Sequence, residues 1–196
     1  MSFVLRRAGV EDTGTVLGLF DEAVAWLVAR GLTRQWGDRP WSTIPRRRRQ
    51  VSSWLAAPSG SWLAETDDRV PVGYLHLGAA PAYVEPAVAP EGYVVALVGS
   101  RAPEGRGAGR ALLDLAVRDA AARGLPRVRV DCYAGDGGGL TAFYESCGFV
   151  PEDEFTVGDG WNGRVLARAT AGLPRSAGES ERWPAPAPGP SSPHRP

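Results

Sequence analysis

Hydrophobic residues recur along the first 169 residues with helical or strand periods, and glycine or proline separates most of the segments. Between residues 11 and 30, apolar side chains recur every three or four positions, which predicts a helix that ends at Gly31. Residues 127–133 alternate between apolar and charged side chains, which predicts a half-buried strand. Residues 93–99 are almost all apolar, as in strands buried on both faces. These patterns together predict strands at 3–7, 62–66, 72–77, 93–99, 127–133, 149–157 and 164–168, and helices at 11–30, 45–57, 108–123 and 140–147.

The resulting order, β-α-α-β-β-β-α-β-α-β-β, predicts one three-layer α/β domain. The second and third strands flank Asp67-Asp68-Arg69, which is typical of a hairpin. Residues 171–196 differ from the rest because they contain seven prolines and show no apolar period. We therefore expect a folded domain over residues 1–169 and a disordered, proline-rich tail over residues 170–196.

The composition argues against several classes of function. The chain has 196 residues, of which 43% are hydrophobic, and this suits one domain with a substantial core. No apolar run reaches the roughly 18–20 residues that span a bilayer, and no signal peptide is recognisable, so a cytoplasmic protein without membrane contact is expected. All 22 basic residues are arginine and the formal net charge is zero, which argues against a nucleic-acid partner. Cys132 and Cys147 are expected to be thiols, and no metal site is predicted.

A glycine-rich turn, Gly105-Arg106-Gly107-Ala108-Gly109-Arg110, lies between the apolar strand and the third helix. Amide groups at a helix N-terminus, approached closely through glycines, form an anion site that suits a phosphate or pyrophosphate. A tight strand-to-helix connection explains the same residues, and the pattern alone does not separate the two interpretations. A Walker P-loop is excluded because the chain has no lysine, and the dinucleotide spacing G-x-G-x-x-G fails from Gly105 and from Gly107.

Two motifs together resemble the GNAT superfamily of acyl-CoA N-acyltransferases. The first is the apolar strand followed by Glu104-Gly105-Arg106-Gly107-Ala108-Gly109 and a helix, similar to the family pattern Gln/Arg-x-x-Gly-x-Gly/Ala. The second is Tyr144-Glu145-Ser146-Cys147-Gly148-Phe149, similar to Tyr-x-x-x-Gly-Phe at the end of a later helix. The resemblance covers about residues 3–168 and is nearest to actinobacterial members of unassigned substrate. It implies a mixed sheet with helices on both faces and a splayed central pair of strands, often at a β-bulge.

The resemblance also implies a cosubstrate, acetyl-CoA, and transfer of its acetyl group to a primary amine of a small molecule or peptide by direct attack on the thioester. The pantetheine arm would pair with the strand backbone at Leu97, Val98 and Gly99, with the Val98 N–H facing the thioester oxygen. The pyrophosphate would lie on the amides of Gly105, Arg106, Gly107, Ala108, Gly109 and Arg110, with or without added charge from the two arginine side chains. Tyr144 would be the general acid that protonates the leaving thiolate, and a packing role in the core is the alternative.

Three departures from the family pattern are visible. Glu104 replaces the Gln or Arg, whose role in the family is largely through its backbone, so little loss of affinity is expected. Asp136-Gly137-Gly138-Gly139 stands where the family frequently has an Asn. Val95-Ala96 replaces a His-Arg pair that related sequences often carry, which leaves the strand without an evident general base.

The general base and the acceptor pocket stay open at this level. An amine with a pKa near 10.4 must lose a proton before it attacks. Four side chains are candidates for the base: Asp21, Glu22, His76 and Glu85. Each of them could instead have a surface or packing role, and a chain of water molecules could take the proton. Trp36, Trp41 and Tyr83 either line an apolar acceptor pocket or cover the edge of the core.

The arginine run at residues 46–49 opens the second helix. A solvated face is the expected role, and zero net charge argues against the alternative of a nucleic-acid patch. Three functions thus compete: an N-acetyltransferase, a non-catalytic acyl-CoA-binding regulatory module and a nucleic-acid-binding domain. The sequence does not determine the oligomeric state, and a homodimer is one option.

Overall fold

The computed structural model describes residues 2–57, 60–158 and 160–170. The chain forms a mixed sheet of seven strands in the order β1-β2-β3-β4-β5-β7-β6, with helices on both sides. The strands are β1 (Val4–Arg7), β2 (Ser61–Glu65), β3 (Pro71–Leu77), β4 (Gly92–Gly99), β5 (Arg127–Tyr133), β6 (Val150–Val157) and β7 (Trp161–Ala169). The helices are α1 (Thr13–Val28), α2 (Pro45–Ala56), α3 (Ala108–Ala122) and α4 (Gly139–Ser146).

The predicted order of strands and helices is confirmed, and the differences lie at the ends of elements. The first helix begins at Thr13 instead of residue 11, because a single 3₁₀ turn at Val10–Asp12 precedes it. The last strand starts at Trp161, three residues before the predicted start, because it pairs with β5 and β6 on its two edges. Thr170 lies one residue beyond the predicted domain and donates two hydrogen bonds to carbonyls of the segment before β5. The rest of the predicted tail lies outside the described residues.

The contacts divide the chain into two compact units, of which the first consists of Met1–His76 and Ala96–Leu113. Its core is built on an aromatic cluster in which Phe20 of α1 stacks on Trp41, with ring centroids 4.0 Å apart. Trp54 of α2 and Tyr74 of β3 pack around the same Phe20 ring. Each such side chain contributes about 1.5–3 kcal/mol of burial free energy, so these rings fix α1 and α2 against β3.

The second unit consists of Leu77–Val95 and the described residues between 114 and 170. Strand β7 pairs antiparallel with β5 from Arg127↔Ala169 to Tyr133↔Gly163, and β6 pairs antiparallel with the other edge of β7. Strand β5 pairs in parallel with β4 over Gly92–Val94. This ladder is three residue pairs long in strands of eight and seven residues. A short ladder of this kind is what the GNAT resemblance implies, because β4 and β5 are expected to splay apart beyond their first residues.

Strand β4 carries one more residue than β3 between two hydrogen bonds that join them. The Gly78 N–H donates to the Tyr93 carbonyl at 3.0 Å, and the Ser100 N–H donates to the Val72 carbonyl at 2.8 Å. The chain advances six positions from Val72 to Gly78 but seven from Tyr93 to Ser100. The extra residue is a β-bulge within residues 94–99, and a bulge of this kind redirects backbone groups at one end of a strand.

Candidate active site

Two glycines shape the turn between β4 and α3. Gly105 is buried, and a Cβ on it would lie 2.9 Å from the Ser100 carbonyl oxygen. Gly107 has a φ of 97°, which favours glycine, and its carbonyl accepts the hydrogen bond from the Ala111 N–H at 3.0 Å. The amides of residues 108–110 therefore lie in the first turn of α3, and the N–H groups of a first helical turn point out of the end of the helix. Three such amides at a helix N-terminus form an anion site.

The end of β4 lies against this helix N-terminus. A Cβ on Gly99 would lie 4.0 Å from the Gly109 nitrogen. On the neighbouring strand, a Cβ on Gly73 would lie 3.0 Å from the Leu112 side chain and 3.2 Å from the Ala108 Cβ. Helix α3 thus packs closely on β3 and β4 because glycines leave room for it. The last residue of the strand therefore lies next to the first amides of the helix.

Glu22 of α1 holds the loop that leads from β4 to this turn. Its Oε1 accepts hydrogen bonds from the Ser100 hydroxyl at 2.9 Å and from the Arg101 N–H at 2.5 Å. The Ser100 hydroxyl in turn accepts from the Ala102 N–H at 3.1 Å. One carboxylate oxygen therefore fixes the start of the loop, and these contacts give Glu22 a structural role that competes with its candidate role as a base.

The backbone direction at the end of β4 distinguishes Val98 from Gly99. A Cβ on Gly73 would lie 3.5 Å from the Val98 carbonyl oxygen, so this carbonyl points toward β3. The carbonyl and the N–H of one trans peptide point in opposite directions, and the Gly99 N–H therefore points away from β3. The Val98 side chain is buried, and Leu97 and Gly99 are half-buried. The amide directed to the other edge of β4 is that of Gly99, whereas the resemblance implied that of Val98.

The segment Tyr144–Phe149 forms the C-terminus of α4. The Phe149 N–H donates to the Tyr144 carbonyl at 3.1 Å and the Gly148 N–H to the Glu145 carbonyl at 2.9 Å, which are the two hydrogen bonds of a Schellman motif. Gly148 has the required positive φ, 82°. The rings of Tyr144 and Phe149 meet edge to face at 5.9 Å, and Tyr144 is 6% exposed. Helix capping and packing thus explain the spacing of this motif, and the acid role of Tyr144 stays a prediction.

Asp21 and Glu85, two other candidate bases, lie in different surroundings. The Asp21 Oδ1 accepts a hydrogen bond from the Ser42 N–H at 3.0 Å, at the 3₁₀ turn that contains Trp41. Glu85 is exposed, and its backbone carbonyl accepts from the Arg129 guanidinium at 3.0 Å. Asp21 therefore supports a turn, and the Glu85 carbonyl anchors Arg129. Neither contact supports a role as the base.

His76 is buried at 5% exposure and belongs to a polar network inside the first unit. Its Nδ1 lies 3.0 Å from the Ser61 hydroxyl, which also lies 3.0 Å from the Tyr74 hydroxyl, and its ring stacks on Trp54. Burial lowers the pKa of His76 to about 4. The imidazole is therefore neutral at pH 7 and a weak base, poorly matched to an amine whose pKa is near 10.4.

Trp41 and Trp36 differ in burial. Trp41 is 3% exposed and lies between Phe20 and the Arg47 guanidinium, which is 4.3 Å from its ring centroid. With both faces covered, Trp41 is a core residue, and the pocket interpretation does not hold for it. Trp36 is half-buried and meets Phe20 edge to face at 5.3 Å. Tyr83, the third aromatic candidate, is half-buried in the second unit.

The arginine run does not form one solvated face. Arg46, Arg48 and Arg49 are exposed, as expected, but Arg47 is 6% exposed. Its guanidinium covers Trp41 and donates to the Gln50 Oε1 at 3.0 Å. The expectation of a solvated side chain was wrong for Arg47, because its position on α2 turns it toward the aromatic cluster.

Other expectations concern metals, thiols and the membrane. Among the described residues there is no group of three or more His, Cys, Asp or Glu side chains that is suited to a metal ion. Both cysteines are free, as expected, and both are buried; burial raises the pKa of the Cys132 thiol to about 11. Within the same residues, no helix combines the length and the apolar character needed to cross a bilayer.

Asp131 on β5 is a polar residue that the sequence analysis did not single out. It is half-buried and accepts hydrogen bonds from the hydroxyls of Tyr93 and Tyr83. Burial and the neighbouring carboxylate raise the pKa of Tyr93. The available signal was weak: Asp131 occupies the polar side of an alternating strand, and nothing in the pattern connects it to tyrosines 38 and 48 positions away.

The chain was compared with known proteins. Solved structures with the same fold include an acetyltransferase of the GNAT family from Listeria monocytogenes, with a TM-score of 0.63, 18% identity, and coverage of 85% of this chain and 94% of that one. A phosphinothricin acetyltransferase from Sinorhizobium meliloti in complex with acetyl-CoA has a TM-score of 0.62 and 17% identity, with coverage of 90% of this chain and 95% of that one. The PaiA N-acetyltransferase from Thermoplasma acidophilum in complex with coenzyme A has a TM-score of 0.63 and 18% identity, with coverage of 86% of this chain and 99% of that one.

The sequence was compared with curated proteins and with protein families. No curated protein sequence matches the chain. Residues 22–149 match the acetyltransferase (GNAT) family, and this range includes the glycine turn, α4 and the Schellman motif that ends it. The chain therefore belongs to the acetyltransferase (GNAT) family.

Proposed function

We propose that the protein is an N-acetyltransferase that moves an acetyl group from acetyl-CoA to a primary amine of a small molecule or peptide. Family membership supports acetyl transfer. Similar structures were solved with acetyl-CoA or coenzyme A, and one of them carries the name N-acetyltransferase. The observation that carries the proposal is the glycine turn, which presents the amides of residues 108–110 at the N-terminus of α3.

The turn has the features that a pyrophosphate requires. Gly105 and Gly107 have no side chain, and the positive φ of Gly107 precedes the first turn of the helix, where backbone amides favour an anion. The arginine side chains at 106 and 110 are exposed on the same turn, where they add positive charge. Glu104 is exposed, so its carboxylate can stay in solvent, away from the phosphates. The residues present therefore fit coenzyme A.

Acetyl-CoA supplies an activated acetyl group: the neutral amine attacks the thioester carbon and forms the C–N bond, the C–S bond breaks, the nitrogen loses a proton, and the sulfur takes one. The Gly99 N–H, which points away from β3, is assigned to the thioester oxygen in place of Val98. Leu97, on the same half-buried side of β4, is assigned to the pantetheine arm with Gly99. Tyr144 is assigned to proton donation, because a phenol is protonated at neutral pH.

A non-catalytic acyl-CoA-binding module is the second candidate. The observation that favours it is the state of the candidate bases: Asp21 and Glu22 accept backbone hydrogen bonds, and His76 is buried with a lowered pKa. Val95 and Ala96 on β4 are apolar and supply no base. In the enzyme interpretation, a water molecule takes the proton from the amine.

Turnover and binding separate the two candidates. The protein is incubated with acetyl-CoA and a panel of primary amines and peptides, and release of the CoA thiol is followed together with the mass of each product. Acetylated amine together with thiol release supports the enzyme. Acetyl-CoA binding by calorimetry, without product from any member of the panel, supports the binding module. Absence of binding contradicts both.

A further inference from the structure

A half-buried carboxylate in the second unit is held by two phenols. The Tyr93 hydroxyl donates to the Asp131 Oδ1 at 2.7 Å, and the Tyr83 hydroxyl donates to the Oδ2 at 3.1 Å. Asp131 follows Val130, the last β5 residue in the parallel ladder with β4. The carboxylate is therefore fixed in orientation at the point where this ladder ends, and each oxygen keeps a further lone pair for a ligand.

Among the arginines that the structure describes, none forms an ion pair with Asp131. Four arginines of β5 and β7 pair with other carboxylates: Arg127 and Arg129 with Glu91, Arg127 also with Glu152, Arg164 with Glu154, and Arg168 with Asp114. Across residues 2–57, 60–158 and 160–170, Asp131 forms no ion pair. The two phenol donors orient the carboxylate without cancelling its charge. A partly buried negative charge without a cation is complementary to a cationic ligand.

A row of aromatic rings begins beside this carboxylate. The centroids of Tyr83 and Phe155 are 5.1 Å apart, those of Phe155 and Trp161 5.9 Å, and those of Trp161 and Tyr133 5.5 Å. Gly163 makes room for the row, because a Cβ there would overlap the Phe155 ring. Trp161 and Tyr133 are buried, whereas Tyr83 and Phe155 are half-buried and accessible in part.

The strand register places the carboxylate and the rings on one face. Asp131 and Tyr133 are two positions apart on β5 and therefore point to the same side. Tyr133 pairs with Gly163, which pairs with Phe155 on β6. Residues opposite one another in antiparallel strands share a face, so Asp131 and Phe155 lie on the same side of the sheet.

We propose that Asp131, together with the rings of Tyr83 and Phe155, binds a cationic group of the acceptor other than the nitrogen that is acetylated. This rests on the proposed function for its link to catalysis. The reacting nitrogen must be neutral when it attacks, whereas a carboxylate oriented by two phenols suits a group that stays charged. Aromatic faces attract ammonium and guanidinium groups. The substrate class is an amine that carries a second cation on an apolar stem.

The binding step is tested without turnover. Calorimetry compares benzyltrimethylammonium, which has no nitrogen that can be acetylated, with benzyl alcohol, which is uncharged. The native protein should bind the cation about tenfold or more tightly than the alcohol, since the quaternary ammonium is attracted by the carboxylate charge and by the aromatic faces, and the uncharged alcohol is not. Asp131→Asn should remove the preference, and Phe155→Leu should weaken cation binding about two- to fivefold. Asp153→Asn is the matched control, because Asp153 pairs with Val165 opposite Asp131 but is exposed.

Equal affinity for the two probes, or an undiminished preference in Asp131→Asn and Phe155→Leu, overturns the proposal. Circular dichroism establishes that each variant is folded, and Phe155→Leu tests the site independently of Asp131→Asn. A second, kinetic experiment compares 1,5-diaminopentane with 1-aminohexane as acceptors. The value of kcat/KM should be higher for the diamine in the native protein and in Asp153→Asn. Cation binding without acetylation of either amine contradicts the proposed function alone. Acetylation of both amines at equal kcat/KM, with no cation binding, contradicts the proposal for Asp131 alone.

Discussion

Gly107 and Gly124 lie at the two ends of α3 and provide a matched pair of substitutions. Both have positive φ, 97° and 70°. A Cβ on Gly107 would meet nothing closer than the Phe3 ring at 3.7 Å, and a Cβ on Gly124 would meet nothing within 4 Å. Alanine at either position therefore adds no steric clash. It imposes the cost of a left-handed backbone, about 1–2 kcal/mol.

The two variants should be alike in stability and different in ligand binding. A loss of 1–2 kcal/mol lowers the Tm by about 2–8 °C in a domain of this size. Relief of the strain in Gly107→Ala also moves the amides of residues 108–110. Each hydrogen bond to a charged group contributes about 1.5–3 kcal/mol, so the loss of one lowers the affinity for coenzyme A about tenfold or more. Gly124 lies at the C-terminus of α3, and Gly124→Ala should leave that affinity unchanged.

Calorimetry with coenzyme A and a thermal melt of each variant are the measurements. Gly107→Val, which adds a branched side chain, should lose most of the affinity and keep the fold. The assignment of the pyrophosphate to the turn is refuted if folded Gly107→Ala binds coenzyme A as the native protein does. It is equally refuted if Gly124→Ala loses as much affinity as Gly107→Ala.

Four further predictions concern catalysis, the core, pH and the tail. Tyr144→Phe should lower kcat about 100-fold at unchanged coenzyme A affinity, and full turnover would assign the phenol to packing. Trp41→Ala should lower the free energy of unfolding in urea by about 3–5 kcal/mol, because Trp41 is buried and stacked on Phe20. The folded-state pKa of His76 is lowered from 6.5 to about 4, so the unfolded chain binds the proton more readily. Stability should therefore fall as the pH drops below 6.5, by about 2–3 kcal/mol at pH 4.5, and a pH-independent difference from His76→Gln would contradict this. Removal of residues after Ala171 should leave the Tm and the coenzyme A affinity unchanged, and a large drop in either would show that the tail contributes.

The elements of the fold could be predicted because each is set by local pattern. The periods of apolar residues locate the strands and helices, and the glycines at 31, 124 and 148 end three helices with positive φ. The turn at Gly105–Gly107 could be predicted for the same reason, since glycine is required where the backbone turns sharply. These features depend on neighbours within a few positions, and the sequence displays such neighbours directly.

The contacts between distant segments could not be predicted in the same way. The tie between Glu22 and Ser100 joins residues 78 positions apart, and that between Tyr83 and Asp131 joins residues 48 apart. Both depend on the exact register of strands, and the bulge on β4 shifts that register by one residue. Arg47 illustrates a similar limit, because a run of four arginines does not indicate which one the helix turns toward an aromatic cluster.

The two family motifs carry different amounts of chemical information. The spacing of Tyr144, Gly148 and Phe149 is accounted for by a helix cap whose hydrogen bonds use backbone atoms and whose aromatic contact uses the Tyr144 ring. A chain without catalytic activity would keep this motif for stability alone. Gly107, in contrast, has open space at its Cβ position except for one ordinary contact, so packing does not require a glycine there. The positive φ does require it, and its consequence is the set of amides that begin α3. Loss of coenzyme A affinity in Gly107→Ala therefore reports on ligand binding, whereas Tyr144→Phe, which keeps the ring and the cap, isolates the hydroxyl.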